Sequence, residues 1–532
     1  MSSFPSSTAR LRARLDTPAV LWVLAGLTTI VAVVLVAVAT RQGSAVSPDS
    51  ATYVSGARNL AAGNGYSDFQ LIAITDWPPG LSVTLVALHA AGIGALTAAR
   101  WLNIAALGAV VLLTFALGRR YLRRGWLALV AAMVAGFAPA MLGVFSFIWS
   151  EPVFCAITLG VLLILERIAA DPRASWWLIA AAGVLAGTGF SYRYAGMTLI
   201  VVVVIAVAVG AWGTGAGRVG LRSTGALAAS LVLPLVVVAS NLRHGSLTGQ
   251  RVPSTETLHG VLVSSEQFLV GWLLAGHHPG RALGTVLVLA VILGTGCGVA
   301  LRLGQVGTRS VAGRALVPLV VFVAGYALYI LATEFQTSID PPDDRICSPM
   351  LAPAAILIVI AIDAVLDRCP ARAARTLTAA VGAVLGIWIA AMLIASVTHA
   401  RADGRAGVRF TADGYTIGRW TDSAFMRAVG ALPAGSELFS NQPGGVYLAT
   451  GRQPITYAGQ PTAYPLIPEA QQATTLIATI AAARGPVYVV WTLPNHRPHL
   501  VTPVDLTARG VRLEPILATP RGTIYRVAGS GG

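Results

Sequence analysis

The sequence predicts an α-helical, polytopic membrane protein of about 11 spans, followed by a small extracytoplasmic α/β domain. Three observations carry this. The 532 residues are 55% apolar and only 11% charged, and the apolar residues fall in repeated runs of about 20, the length that crosses a bilayer. All 37 basic residues are arginine, gathered mainly in short segments between the runs. From about residue 400 the chain becomes polar and richer in Pro and Gly, with alternating strand-like and helix-like stretches.

In order, residues 1–18 are basic and read as a cytoplasmic N-terminus ahead of an uncleaved anchor. The predicted spans are 19–40, 100–118, 126–147, 151–167, 176–191, 194–213, 223–240, 282–301, 315–332, 348–366 and 376–398. They make up a transmembrane domain over 19–398. With the N-terminus inside, one face collects Arg10, Arg12 and Arg14, then Arg119, Arg120, Arg123 and Arg124, then Arg167 and Arg173. Arg218, Arg222, Arg302, Arg309, Arg314, Arg368, Arg372 and Arg375 follow on the same side, as the positive-inside rule requires. Leu81–Leu96 is apolar, but a full crossing there would reverse every later loop. It reads as a re-entrant or interfacial helix within the first outer loop, 41–99, opened by Pro78-Pro79-Gly80. Residues 399–532 form the last domain, with strands expected at Glu437–Ser440, Val487–Trp491 and Thr523–Val527. A helix is expected over Glu469–Arg484, and another begins near Ala424 with Thr421 or Asp422 as its N-cap.

The net charge of +15 follows from membrane topology and calls for no nucleic acid. The exclusive use of arginine points to a GC-rich genome such as an actinobacterium's. The cysteines (Cys155, Cys297, Cys347, Cys369) form neither a CxxC pair nor a metal set, which argues against a disulfide framework.

The chemistry is expected on the outer face. Asp49, in Ser-Pro-Asp-Ser-Ala-Thr-Tyr just past the first span, is a candidate base, with helix capping as the alternative. Glu151 opens a span with Glu-Pro, as a helix start or as a second acid facing a cavity. Arg193, flanked by Tyr192 and Tyr194, lies between two spans on the outer side, against the charge rule. It can snorkel to headgroups or grip a phosphate with paired hydrogen bonds. The same holds for Arg345, unless Asp343 or Asp344 pairs with it. Tyr53 and Arg58 share an amphipathic stretch, where Arg58 can meet lipid phosphates. Asp68 and Asp76 are a possible second acid or metal ligand. His277-His278 is a weaker ligand pair. No DxD motif or His at ligand spacing accompanies the acids. No cofactor is therefore required by the sequence, although a divalent cation is compatible with it.

Taken in order, these landmarks resemble the GT-C membrane glycosyltransferases. They are the acid after the first span, Ala-Arg-Asn-Leu-Ala-Ala-Gly-Asn-Gly, the Pro-Pro-Gly that opens an apolar helix, Ser150-Glu151-Pro152, Arg193-Tyr194-Ala195-Gly196 and Asp344-Arg345 to Pro353. The nearest group comprises protein O-mannosyltransferases, lipid A aminoarabinose transferases and Rgt-type transferases of bacterial polysaccharide. The resemblance covers residues 20–366. It implies an inverting plasma-membrane enzyme that takes a sugar from a polyprenyl-phosphate donor and passes it to a cell-envelope glycan, lipid or protein. Asp49 would be its base, and Arg193 and Arg345 would hold the donor phosphate. The residues themselves add Glu151 as a second catalytic candidate, Arg58 as a further donor-phosphate contact, and Tyr53, Tyr194, Asp76 and Asp344 as substrate contacts. Ser50 stands where the mannosyltransferases have a second acid, which weakens the case for protein mannosylation. Two rival readings are a transporter or flippase of a lipid-linked sugar, disfavoured by the scarcity of charge within spans, and a non-catalytic envelope scaffold.

Overall fold

A computed structural model describes residues 17–249, 253–254, 256–277, 279–337, 341–407, 415–416, 420–456, 469–493 and 500–529. Arg10, Arg12, Arg14 and His278 lie outside them. The chain runs α1 (Pro18–Ala39), β1 (Ala45–Val46), α2 (Pro48–Ala61), α3 (Gly80–Ala90), α4 (Ala95–Tyr121), α5 (Gly125–Phe137), α6 (Pro139–Ser146), α7 (Glu151–Ala170) and α8 (Trp176–Tyr192). A 3₁₀ turn (Tyr194–Gly196) leads into α9 (Met197–Gly210), α10 (Ala216–Leu242), α11 (Leu258–Leu273), α12 (Arg281–Val306), α13 (Val311–Gln336), α14 (Asp344–Arg368) and α15 (Ala371–Ala406).

The chain is a multi-pass membrane protein. Among the described residues eight helices (α1, α4, α7, α10, α12, α13, α14 and α15) are long and apolar enough to cross a bilayer. The run expected as one span at 126–147 is broken into α5 and α6, bent by 48° at Ala138. Pro139 causes the break, because the residue before a proline is pushed out of the helical region, and Ala138 has φ −63°, ψ 127°. The runs expected at 176–191 and 194–213 form shorter apolar helices, Trp176–Tyr192 and Tyr194–Gly210. Helix α3 has 11 residues, about 16 Å at 1.5 Å per residue, half of a hydrocarbon core of about 30 Å. By its own length it falls short of a crossing.

The two ends of the bundle differ in chemistry. At one end Arg124 pairs with Asp363 (2.6 Å) and Asp367 (2.9 Å), and Arg123 and Arg302 also reach Asp367. Arg302 donates to the Tyr121 carbonyl as well, which ties α4, α12 and α14 together. Arg345 sits eighteen residues before Asp363 on α14, roughly 27 Å away along the helix.

The last helix overruns its expected end at 398 and continues to Ala406. Gly404 lets it close on α1, since an added Cβ there would lie 2.6 Å from the Val38 carbonyl oxygen. Gln42 Nε2 donates to the carbonyls of Gly404 and Arg405. Beyond it come β2 (Tyr415–Thr416), α16 (Ala424–Gly430), β3 (Glu437–Ser440), α17 (Pro443–Thr450), β4 (Ile455–Thr456), α18 (Glu469–Ala482), β5 (Val487–Thr492), α19 (Pro503–Ala508), β6 (Leu513–Thr519) and β7 (Gly522–Val527). The expected strands are β3, β5 and β7. They join a five-stranded sheet of order β4-β3-β5-β7-β6, parallel over β4-β3-β5 and antiparallel beyond. Helix α16 is capped by Ser423, whose hydroxyl accepts from the Met426 amide, rather than by Thr421 or Asp422.

This sheet domain rests on the first loop. Strand β2 pairs antiparallel with β1, and Gly444 of α17 packs so closely on Ala51 that an added Cβ would lie 2.7 Å from the alanine's own. Tyr447 stacks on Phe69 at 5.3 Å.

Candidate active site

The site is assembled at the start of α2. Ser47 is the N-cap: its hydroxyl accepts from the Ser50 amide, and the Ser50 hydroxyl accepts from the Ser47 amide, a reciprocal capping box. Pro48 suits the first helical position. Asp49 is thereby spared the capping role. The segment leading into it is fixed by backbone pairing on two sides, to β2 and to Phe147–Ile148, whose Ile148 amide donates to the Ala45 carbonyl.

Two distant segments meet Asp49, and a third joins them through Arg345. Asp49 Oδ2 accepts from Arg345 Nη2 and from Trp77 Nε1 (3.2 Å). Arg345 stands in the first turn of α14, after Asp343, whose carboxylate caps the helix by accepting from the Ile346 amide (2.8 Å). The Arg345 guanidinium lies over the Trp149 ring, 4.5 Å from its centroid, while Trp149 Nε1 donates to the Ser47 hydroxyl (2.8 Å). Its Nε donates to Glu151 Oε1 (2.6 Å). One guanidinium thus bridges the two carboxylates.

Glu151 is fully buried in the first turn of α7. Its Oε1 also takes Arg193 Nη1, and Oε2 accepts from Ser150 Oγ (3.3 Å), which in turn meets the Tyr53 hydroxyl (3.1 Å). A buried carboxylate is stable only when paired and hydrogen-bonded, and this one has two guanidiniums and a hydroxyl. Burial, then the charges of Glu151 and Asp49, push the Tyr53 hydroxyl well above its ordinary range, so it stays protonated. Arg193 occupies the extended residue between α8 and the 3₁₀ turn (φ −149°, ψ 137°). Burial opposes its charge, but Glu151, with smaller contributions from Tyr326 and Tyr53, brings a net rise in its pKa. Its Nε is buried with no hydrogen-bond partner among the described residues.

In front of Arg345 opens a cavity of about 880 Å³. Ser47, Asp49 and Trp149 form one wall, Asp343, Asp344 and Arg345 a second, and Ser264, Gln267 and Phe268 of α11 a third. Pro139 and Ala140, at the break between α5 and α6, and His399 of α15 complete it.

No family model and no curated protein matches the sequence. Solved structures do. ArnT from Cupriavidus metallidurans superposes with a TM-score of 0.62 at 14% identity, over 97% of this chain and 100% of ArnT. Its undecaprenyl phosphate complex gives 0.61, also at 14%, over 96% and 99%. The mycobacterial arabinofuranosyltransferase AftD matches with a TM-score of 0.54 at 16% identity, over 95% of this chain and 42% of its own length. The archaeal oligosaccharyltransferase AglB from Archaeoglobus fulgidus matches with 0.51 at 13%, over 88% and 69%. This chain has the GT-C fold.

Within the GT-C fold the sequence-derived candidates separate into two groups. Asp49, Glu151, Arg193, Arg345 and Tyr53 come together. The pairing of Arg345 with Asp343 or Asp344 is not made: Asp343 caps its helix, and Asp344 lines the cavity and accepts from Trp272 Nε1 (3.1 Å). Arg58 is not brought to the cluster. It lies nine residues after Asp49, about two and a half turns, and so points to the opposite face of α2. There it stacks on Tyr447 of the sheet domain, 5.2 Å from the ring centroid. Tyr194 clamps loops rather than facing the cavity: its hydroxyl donates to the Thr75 carbonyl (2.6 Å) and accepts from Asn241 Nδ2 (2.7 Å). Asp76 packs against Gly249 of the 241–281 loop, and Asp68 folds back on the amides of Gln70 and Ile72. His277 bonds its own Leu274 carbonyl. Among the described residues no three His, Cys, Asp or Glu side chains gather as a metal set. Sequence reading missed Trp77, Trp149 and Gln267. The first two had a signal, since each directly precedes a motif already singled out, Pro78-Pro79-Gly80 and Ser150-Glu151-Pro152.

Proposed function

We propose that this protein is a glycosyltransferase that moves a sugar from a polyprenyl-phosphate donor to a cell-envelope glycan, lipid or protein at the outer face of the plasma membrane. The reaction inverts the anomeric centre, and Asp49 is the base. The observation that carries the reading is the bridge made by Arg345. A single guanidinium on the wall of a large cavity joins the carboxylate offered to the cavity with a buried carboxylate that fixes it. The fold supports the donor class, since ArnT and AglB have been solved with undecaprenyl phosphate and dolichol-phosphate. The arginine-rich opposite end, and the N-terminus with it, faces the cytoplasm by the positive-inside rule. The domain after residue 399 is then extracytoplasmic and covers the first loop.

The chemistry follows from the charges. The acceptor hydroxyl oxygen attacks the anomeric carbon as the bond from that carbon to the phosphate oxygen breaks. The hydroxyl proton passes to Asp49, and the bonding pair leaves with the polyprenyl phosphate, which gains a negative charge. Arg345 meets that charge from the cavity wall, where a guanidinium can engage two phosphate oxygens at once. Arg193 adds positive charge one carboxylate further back, with its Nε–H unspent. Glu151 has no place on the cavity wall. Its part is to hold both arginines, and that of Asp344 is to accept from sugar hydroxyls.

The test is transfer by purified protein in lipid nanodiscs, offered radiolabelled decaprenyl-phosphate sugars with a membrane extract as acceptor. Label moving with wild type and not with Asp49→Asn is the expected result. Transfer from none of the donors overturns the reading.

A further inference from the structure

The base needs more than a carboxylate in the right place; it needs one that stays there while its neighbour changes partners. Both hydrogen bonds to Asp49 fall on Oδ2, from Arg345 and Trp77, and among the described residues Oδ1 has no partner. Asp49 lines the cavity, so Oδ1 is the oxygen available for an acceptor proton. Arg345 is a poor permanent anchor for this carboxylate, because on the reading above it turns toward the donor phosphate during the reaction. Trp77 is different. Its indole N–H is neutral, donates to Asp49 and does not line the cavity, so an incoming phosphate neither reaches nor attracts it.

The turn that carries the indole is itself held on both sides. The Tyr66 hydroxyl donates to the carbonyls of Trp77 (3.1 Å) and Pro78 (3.3 Å). The Tyr66 ring lies against Gly56 of α2, where an added Cβ would come within 2.7 Å of its Cε2. Three residues on, Gly80 abuts the Ser191 carbonyl, and a Cβ there would lie 2.5 Å from the oxygen. Ser191 is two residues before Arg193. The Trp-Pro-Pro-Gly turn is therefore clamped between the helix that carries Asp49 and the last turn of α8, which leads into Arg193.

We propose that Trp77 is a positioning residue that fixes Oδ2 of Asp49 through the catalytic cycle and so keeps Oδ1 aimed into the cavity when Arg345 engages the donor. This rests on Asp49 being the base. The experiment is steady-state transfer from radiolabelled decaprenyl-phosphate sugar to membrane extract by wild type, Trp77→Phe, Tyr66→Phe and Asp49→Asn, with decaprenyl phosphate binding measured on the same preparations. Phe keeps the ring that packs and removes only the N–H. Trp77→Phe is expected to lower kcat about 10- to 100-fold while donor KM and decaprenyl phosphate binding stay within about twofold, the pattern of a misplaced reacting group. Tyr66→Phe should lower kcat in the same direction by less. Wild-type kcat in Trp77→Phe overturns the inference, as does a parallel loss of kcat and donor binding, which marks general damage. If Asp49→Asn is inactive and Trp77→Phe is not impaired, this inference alone falls. If Asp49→Asn turns over like wild type, the base assignment falls and takes this inference with it.

Discussion

Removing the carboxylate of Glu151 should destabilise the protein more than removing either arginine it holds. Glu151 is 0% exposed, and one of its oxygens receives both Arg193 and Arg345. In Glu151→Ala, Arg345 still has Asp49, but among the described residues Glu151 is the only acidic side chain paired with Arg193, whose side chain is 18% exposed. Breaking a buried pair by deleting one partner costs about 3–5 kcal/mol, because the remaining charge is left in a poorly solvating environment. Ser150 also loses an acceptor, a further cost of about 1 kcal/mol. Removing the stranded charge as well, in Glu151→Ala/Arg193→Met, should recover part of the loss, with a coupling of about 1–3 kcal/mol. The assay is equilibrium unfolding by SDS titration in mixed micelles on the four members of the cycle. Additive single costs, or a Glu151→Ala cost below about 1 kcal/mol, would refute the buried-pair account.

Two further outcomes follow from the seat of the sheet domain. Gly444→Val places a branched side chain against Ala51, two residues from Asp49, and overpacking of this kind costs about 1–3 kcal/mol. Limited proteolysis should then cut the chain beyond residue 406 faster than in wild type; an unchanged digestion rate counts against the packed interface. Arg58→Ala removes a cation–π contact worth about 0.5–1 kcal/mol at an exposed site, and decaprenyl phosphate binding should be unaffected. Weakened binding in that variant would return Arg58 to the donor-phosphate role that its place on α2 argues against.

The spans were legible because bilayer thickness sets their length, and the arginine-rich loops because membrane insertion sets their charge. Even the break in the 126–147 run was written locally, as Ala138-Pro139. The residues of the candidate site stood out one at a time, as acids and arginines at the ends of spans where a charge is costly without a purpose. Their partnerships were not. Arg345 meets Asp49 across 296 positions and Glu151 across 194, and no local pattern encodes contacts of that range. Sequence proximity pointed instead to Asp343 and Asp344. But residues one and two apart on a helix face different directions, and Asp343 is occupied at the helix start. Arg58 fell out for a related reason: its neighbourhood in sequence with Asp49 is undone by helical phase. The capping role weighed for Asp49 belongs to Ser47 and Ser50, a distinction of one or two residues that only the backbone geometry resolves.

The central claim is that Arg345 takes the donor phosphate while Asp49 takes the proton, and it is tested most directly by separating binding from transfer. Decaprenyl phosphate binding and sugar transfer would be measured on the same nanodisc preparations of wild type, Asp49→Asn and Arg345→Ala. The account predicts that Asp49→Asn binds the lipid phosphate and fails to transfer, and that Arg345→Ala fails at both. Wild-type transfer by Asp49→Asn, or wild-type binding by Arg345→Ala, would contradict it.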